Sequence, residues 1–280
     1  MKHNFMIISI VLGVFVLVIT IFKLTKPSFH YSDEIKIIDK WDLPESLREV
    51  SGISHINAST IACVQDEKGK IFIFDLKASI ISDEIEFGPD ADYEAIRIID
   101  STAYIMTSDG DFFKINQFES EHKSVDKFKT DFTKFNDMES FDFNLKTQNI
   151  LIAPKENNLT PEEEGLVIYK MDMKTFQLQE KYFIQIPNHH EIFEFTPNTF
   201  SPSDLAIDPL NKKIYILDSK IPGLLILSPE GKPLNIYHLN PKDFPQPEGI
   251  SFDQKGNIYI SNEEGHSAKQ NILQVEIQNH

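Results

Sequence analysis

The segment EGISFDQKGNIYISNE, residues 248–263, decides the fold because the chain repeats its pattern. It opens on a carboxylate, continues as a short strand of alternating apolar residues, turns, and gives a second strand rich in Ile and Tyr. Four earlier segments have the same order: 49–67, 94–109, 139–156 and 204–219. Their openings recur about every 45 residues, with one longer step after residue 139. Such a period is typical of a repeat protein built from β-strands.

About 45 residues is the size of one four-stranded blade of a β-propeller. Outer strands follow the repeated segments, for example at 70–76 and 79–87 in the first blade. The repeat therefore predicts an all-β propeller of five blades, with six as the alternative. A β-sandwich is disfavoured, because a sandwich does not repeat a carboxylate at one register. The longer step predicts an inserted loop at 187–202.

The last repeat is short of one strand, and a spare strand precedes the first repeat. Only residues 271–277 follow the segment 248–263 as a further strand. The spare strand, EIKIIDKWDL at 34–43, can pair with the last blade and remove its open edge. We therefore expect residues 34–43 to close the ring.

The N-terminal stretch FMIISIVLGVFVLVITIF, residues 5–22, has no charged residue and is long enough to cross a bilayer. A small-residue cleavage site does not follow it, which favours an uncleaved signal-anchor over a cleaved signal peptide. The predicted organisation is a transmembrane helix with its flank at 1–26 and a propeller at 27–280. We expect a single-pass inner (plasma) membrane protein with the propeller in the periplasm or outside the cell.

Charge and cysteine content exclude several functions. With 43 acidic and 27 basic residues, the formal net charge is -16, which argues against nucleic acid as a partner. The single cysteine, Cys63, excludes a disulfide framework and lies in an apolar strand, so we interpret it as a core residue. G-x-S-x-G, H-E-x-x-H, phosphate-loop and dinucleotide motifs do not occur in the repeats.

Carboxylates stand where the first strand of each blade begins and where the second strand ends. In a propeller, both positions open on the same end of the central channel. Repulsion there can be relieved by protonation or by a hard cation, and oxygen ligands select Ca²⁺, with Mg²⁺ or Mn²⁺ possible. The alternative is that these carboxylates only hydrogen-bond neighbouring blades together. The predicted metal ligands are Glu49, Asp66, Glu67, Glu94, Glu139, Asp204, Asp218, Glu248 and Glu263.

Six short motifs resemble the SdiA-regulated family of bacterial envelope propellers, which is related to NHL-type and TolB-like propellers. They are EVSGIS (49–54), VQDE (64–67), DYEAI (92–96), PSDLAID (202–208), PEGISFD (247–253) and NIYISNE (257–263). The resemblance implies a calcium-binding propeller with an acidic mouth. It implies as positions Glu49, Asp66, Glu67, Glu94, Glu139, Glu248 and Glu263. Two departures are Ala95, where relatives have Gly, and the five blades counted here, where many relatives have six.

These features favour a binding or scaffold module whose partners are a metal ion, the membrane and a small-molecule or protein ligand of unknown identity. The alternative is a calcium-dependent hydrolase of phosphate or lactone esters, in which the metal polarises the substrate and a carboxylate acts as base. Such an enzyme needs basic residues beside the metal. The mouth segments supply few, mainly Arg48, Lys68 and Lys155, which disfavours this alternative.

Overall fold

The structure is a computed structural model that describes residues 31–194, 196, 199–265 and 268–278. For Glu180 and Tyr182 it describes the backbone only. The predicted signal-anchor at 1–26 lies outside these residues. Two short 3₁₀ helices, Glu45–Leu47 and Glu191–Phe193, occur in the described part. Within that part, no helix has the length and apolar character that a bilayer crossing requires.

Twenty strands form five antiparallel four-stranded sheets in the described residues, as the five-blade prediction requires. Blades 1 and 2 are β2 (Val50–Asn57), β3 (Thr60–Gln65), β4 (Lys70–Asp75), β5 (Ile80–Glu86), and β6 (Tyr93–Ile99), β7 (Thr102–Thr107), β8 (Phe112–Asn116), β9 (Ser124–Phe128). Blades 3 and 4 are β10 (Met138–Asn144), β11 (Asn149–Pro154), β12 (Leu166–Asp172), β13 (Leu178–Ile186), and β14 (Pro202–Ile207), β15 (Ile214–Asp218), β16 (Gly223–Leu227), β17 (Pro233–His238). Blade 5 is β18 (Pro247–Phe252), β19 (Ile258–Asn262), β20 (Asn271–Ile277) and β1 (Ile35–Asp42).

Strand β1 closes the ring, which confirms the prediction for residues 34–43. It pairs antiparallel with β20, from Ile35 opposite Ile277 to Asp42 opposite Asn271. The indole Nε1 of Trp41 also donates to the carbonyl of Leu76 in blade 1, at 2.7 Å. The first part of the described chain therefore joins blade 5 to blade 1 and covers the edge of β20.

The core lies between neighbouring blades, because each sheet is covered on both faces. Strands in this position read as continuous apolar runs instead of alternating ones, and β11 is buried along its whole length. Between blades 2 and 3, the rings of Phe112 and Phe141 meet edge to face with centroids 4.9 Å apart. Cys63 is fully buried in blade 1, which confirms its interpretation as a core residue.

The residues that lengthen the step between the third and fourth repeats fall in two loops. A loop with the second 3₁₀ helix joins β13 to β14 at 187–201, as the sequence predicts. A second loop, 155–165, joins β11 to β12 and is longer than the matching loops of blades 1, 2 and 4. Buried Glu163 holds this second loop by accepting hydrogen bonds from the Tyr169 hydroxyl at 2.6 Å and the Thr160 amide at 3.1 Å.

Candidate cation site at the upper mouth

The inner strands β2, β6, β10, β14 and β18 line the channel and begin at one end of it, which we call the upper end. Near its start, each inner strand of blades 2 to 5 has an irregular step against its neighbour. The extra residue of this β-bulge is Glu94, Glu139, Ser203 or Glu248 in turn. Bulges re-aim side chains at sites of this kind, and here three of the four carry a carboxylate.

The predicted common register of the five opening carboxylates is wrong for Glu49 and Asp204. Glu49 precedes β2, and Asp204 pairs with Leu217 one residue beyond the bulge. The equivalent positions in the other blades are small residues, as at Ala95 opposite Met106 and Gly249 opposite Ser261. The blades therefore place these two carboxylates at heights different from those of the three bulge glutamates.

A second set of side chains follows the second strand of each blade. These residues are Asp66, Ser108, Lys155, Ser219 and Glu263, each one position after the end of its strand. The upper mouth is defined here as Glu94, Glu139 and Glu248 on the bulges together with Asp66, Lys155 and Glu263. It contains five carboxylates and one ammonium group.

Lys155 lies among the bulge glutamates. Its Nζ is 2.6 Å from Oε1 of Glu139 and 3.8 Å from Oε2 of Glu248, and its side chain is 14% exposed. Burial lowers the pKa of Lys155, but the charges of Glu248 and Glu139 outweigh burial and raise it overall. The ammonium therefore stays charged at neutral pH and neutralises one of the carboxylates around it.

The remaining negative charge raises the pKa values of the carboxyl groups. Burial, followed by repulsion from Glu139, raises the pKa of Glu94 well above its usual range. Burial and then Glu248 do the same to Glu139. The pKa of Glu263 rises to about 8 through burial, Glu248 and Asp66. Several of these groups therefore compete for protons near neutral pH.

Two carboxylate oxygens at the upper mouth are buried without a hydrogen-bond partner among the described residues. They are Oε2 of Glu139 and Oδ1 of Asp66. Burial, followed by the charge of Glu49, raises the pKa of Asp66 to about 6. Gln246 contributes a donor nearby, since its Nε2 bonds Oε1 of Glu248 at 3.0 Å and also Oε2 of Glu263. The pattern leaves acceptors in excess of donors.

Three predicted ligands lie at the edge of this arrangement. Glu49 and Glu67 are exposed at the rim. Asp218 is fully buried, and its two oxygens accept from the amides of Ser201 and Ile221, each at 3.0 Å. The bonds of Asp218 match the alternative in which a carboxylate ties backbone groups together.

Asp204 lies against Arg97, a residue that the sequence analysis did not select. The guanidinium Nη2 is 2.7 Å from Oδ1 of Asp204, and Nε is 3.5 Å from Oδ1 of Asp142. Arg97 and Asp204 are both buried, and burial raises the pKa of Asp204 to about 7 although Arg97 lowers it. Asp204 is therefore partnered by a cation of the chain itself, and together the two side chains contact the inner strands of all five blades.

The carboxylates of the upper mouth are not spaced as a formed metal site in this conformation. Within the described ranges, no three His, Cys, Asp or Glu side chains are close enough together to hold one ion. The donor chemistry nevertheless fits a hard cation, because every candidate ligand is an oxygen. Lys155 is the side chain that stands between Glu139 and Glu248.

The fold and this site define a five-bladed β-propeller with an acidic upper mouth. Residues 28–265 match the SdiA-regulated family, and the chain belongs to that family, as its motifs indicate. A search among the sequences of curated proteins finds no match.

Solved structures with the same fold include three bacterial proteins. Glutaminyl cyclase of Myxococcus xanthus is 11% identical with a TM-score of 0.61, over 86% of this chain and 95% of that chain. A protein of unknown function from Bacteroides thetaiotaomicron is 11% identical with a TM-score of 0.54, over 88% of this chain and 77% of that chain. Regucalcin of Agrobacterium tumefaciens, described as a calcium-binding protein, is 11% identical with a TM-score of 0.52, over 86% of this chain and 94% of that chain. At these identities the likeness shows the fold alone.

Proposed function

We propose that this protein is a binding module whose upper mouth takes a divalent cation, Ca²⁺ first, through Glu94, Glu139, Glu248 and Glu263. The observation that carries the proposal is the buried Oε2 of Glu139, which no described residue contacts through a hydrogen bond. A buried anionic oxygen without a partner is costly, and a cation relieves the cost. Mg²⁺ and Mn²⁺ have the same ligand preference and are the next candidates.

The balance of charge supports a cation in addition to Lys155. One ammonium faces five carboxylates, and Lys155 already contacts two of them. The carboxyl groups can take up protons at low pH, but near neutral pH they can also exchange those protons for a metal ion. Calcium binding then requires the Lys155 side chain to leave Glu139 and Glu248. Regucalcin supports this proposal only as a propeller of the same fold whose description includes calcium.

The hydrolase alternative has less support from the same region. The three basic side chains expected to hold an anionic substrate are all paired with carboxylates. Arg48 contacts Glu264 at 2.5 Å, and Lys68 contacts Asp90 at 2.8 Å. Since Lys155 is paired with Glu139, each of the three would have to exchange a carboxylate for the substrate.

The decisive experiment is a thermal melt of the protein with calcium and with chelator. Binding to the folded state stabilises it by roughly 2.7 kcal/mol at a hundredfold excess over Kd, so calcium should raise the melting temperature. Glu139→Gln and Glu248→Gln should lose most of this response, whereas Glu230→Gln, in an exposed turn, should retain it. A wild-type curve that calcium does not move up to about 1 mM, the range of extracellular sites, contradicts the proposal.

We further propose that residues 1–26 anchor the propeller to the inner membrane, with the propeller in the periplasm or outside the cell. The uncharged stretch 5–22 supports this proposal. Cell fractionation tests it, because a chain lacking residues 1–26 should move from the membrane fraction to the soluble fraction. If the shortened chain still sedimented with membranes after a high-salt wash, the anchor would lie elsewhere.

A further inference from the structure

The lower end of the channel, where the inner strands end, contains a cavity separate from the upper mouth. It has a volume of about 260 Å³ and lies among the turns that join the first and second strands of the blades. Its lining includes Ile98, Phe143, Ile207 and Phe252. Ile98, Ile207 and Phe252 are only partly buried, so they present apolar surface at this end. The volume is below the usual range for drug-sized ligands, which favours a small molecule.

Arg97 lines this cavity, but its guanidinium is held by groups of the chain itself. Its Nη1 donates to the carbonyls of Ile96 at 2.7 Å and Ile53 at 3.3 Å. Its Nη2 donates to Asp204 at 2.7 Å and to the carbonyl of Leu205, and its Nε faces Asp142 at 3.5 Å. The four N–H groups on Nη1 and Nη2 therefore all donate within the chain, and the fifth, on Nε, faces the carboxylate of Asp142, so other groups are better placed to recognise a ligand.

His55 supplies a polar atom that is not in use. Its Nε2 is buried and has no hydrogen-bond partner among the described residues, whereas its Nδ1 lies 3.3 Å from Oγ of Ser251. The same Oγ accepts from the His55 amide at 3.0 Å. In the tautomer whose Nδ1 accepts from the Ser251 hydroxyl, the imidazole proton is on Nε2, which can donate to an oxygen of a ligand. Burial lowers the pKa of His55 to about 4, so the ring is neutral at neutral pH.

The rim of the cavity carries two ammonium groups beside the carboxylate of Asp253, although the chain as a whole has a net charge of -16. Lys146 and Lys212 both line it and are exposed. Lys146 forms no ion pair with any residue that the structure describes, and the ammonium of Lys212 donates to the carbonyl of Pro209. The carboxylate of Asp253 keeps its charge but accepts from the amides of Lys255 and Asn257, so the ammonium groups are the sites for an anion at this rim. An anionic group at the rim would therefore meet two ammonium groups.

We propose that this lower cavity binds a small organic acid. The apolar body lies against Phe143 and Phe252, an oxygen of the body accepts from His55, and the carboxylate reaches Lys146 and Lys212. N-acetyl-leucine has these three parts and is a suitable probe. Its uncharged amide lacks the carboxylate charge, and acetate lacks the apolar body, so the two compounds separate the contributions.

Calorimetric titration of the full chain tests the proposal. N-acetyl-leucine should bind saturably with a Kd of about 1 mM or tighter, and both its amide and acetate should bind at least about tenfold more weakly. The double charge reversal Lys146→Glu with Lys212→Glu should weaken binding by about tenfold or more. Gln254→Trp, an exposed substitution at the rim, should obstruct entry and reduce binding as strongly.

Matched controls distinguish the lower cavity from other surfaces. Lys242→Glu, in the loop before β18, changes the net charge in the same sense and should leave binding unchanged. Glu139→Gln at the upper mouth should also leave it unchanged, so this test is independent of the calcium proposal. Absence of binding to the wild-type chain, or binding that survives both the charge reversal and Gln254→Trp, overturns the assignment.

Discussion

The Nζ atom of Lys155 lies 2.6 Å from Oε1 of Glu139 and 3.8 Å from Oε2 of Glu248, so one ammonium lies between two bulge glutamates. Lys155 follows β11 at the start of the loop 155–165, and the residues at the matching position of blades 1 and 5 are acidic. Blade 3 therefore supplies a cation both to its own Glu139 and to Glu248 of blade 5. An external cation and this ammonium should compete for the same oxygens.

Replacement of Lys155 by Gln tests this competition. Without calcium, the variant leaves Glu139 and Glu248 buried and unpaired, so they must take up protons or repel each other. We expect the free energy of unfolding at pH 7 to fall by about 2 kcal/mol, less than for a buried pair whose partner cannot protonate. With calcium, the increase in melting temperature should exceed that of the wild type, because the competing ammonium is gone.

The matched control for this experiment is Lys68→Gln. Lys68 pairs with Asp90 on an exposed surface, so its loss should change neither the stability nor the calcium response measurably. Chemical unfolding and thermal melts with and without calcium measure both effects. A calcium response in Lys155→Gln that is smaller than in the wild type would show that Lys155 supports the bound ion and does not compete with it.

The acidic mouth should make stability depend on pH in a defined direction. The pKa of Glu263 is about 8 in the folded protein against an ordinary 4.5, so between these values the folded state binds more protons than the unfolded state. Stability from this group therefore falls as the pH rises from about 4.5 to 8. Glu263→Gln should leave the free energy of unfolding unchanged at pH 5. At pH 8.5 it should raise that free energy by roughly 1–2 kcal/mol, after allowance for partial exposure.

Urea unfolding of wild type and Glu263→Gln at several pH values gives this difference directly. The comparison between the two proteins removes the contribution of titrating groups that do not interact with Glu263. Glu230→Gln serves as the control, since it lies in an exposed turn and its effect should not vary with pH. If Glu263→Gln were destabilising by the same amount at pH 5 and pH 8.5, the raised pKa of Glu263 would be wrong.

The fold could be predicted because the repeat contains its own spacing. Each blade needs the same short strands and turns, so five openings and one spare strand at 34–43 determine the number of blades and their closure. The division of the long step was harder to predict. Loop 155–165 lies inside a blade, where the sequence only shows that the next strand begins late.

The site could be predicted only in part, because bulges shift the register by one residue. Glu49 and Asp204 have the residue type of the bulge glutamates but lie before the strand and beyond the bulge. Arg97 could have been noticed, since an arginine in the apolar strand EAIRII needs a buried partner. Its partner Asp204 lies two blades away, and no local sequence pattern predicts a contact between residues so far apart in the chain.

Closure of the ring should contribute measurably to stability through Trp41. Trp41→Phe removes the 2.7 Å hydrogen bond to the Leu76 carbonyl and should cost about 1 kcal/mol, whereas Trp41→Ala also removes packing and should cost about 2–3 kcal/mol. Ile38→Ala, on an exposed residue of the same strand, should change stability by less than about 0.5 kcal/mol. Because Trp41 is the only tryptophan, its replacement removes the tryptophan fluorescence, so unfolding is followed by circular dichroism. Equal stability of Trp41→Ala and wild type would mean that this contact does not hold the ring closed.

Arg97 should be among the most sensitive positions of the chain. Arg97→Met leaves the carboxylates of Asp204 and Asp142 without their cation in a buried site, and breaking such a pair costs about 3–5 kcal/mol. Burial already raises the pKa of Asp204 to about 7, and without Arg97 that pKa should rise further. The folded variant then binds more protons than the unfolded chain, so its stability should decline more steeply than that of the wild type between pH 5 and pH 8.

Two further variants separate the charge of Arg97 from its shape. Arg97→Met combined with Asp204→Asn removes the most buried uncompensated carboxylate, so it should recover part of the lost stability and most of the lost pH dependence. Arg97→Lys keeps the charge but cannot reach the four oxygens that Nη1 and Nη2 contact, so it should retain only part of the stability that Arg97→Met loses. Arg48→Met, which breaks the exposed pair with Glu264, is the control and should have no measurable effect. Urea unfolding at pH 5 and pH 8 measures all four variants, and an Arg97→Met protein with the stability of the Arg48→Met protein at both values would show that the buried pair contributes nothing to holding the inner strands together.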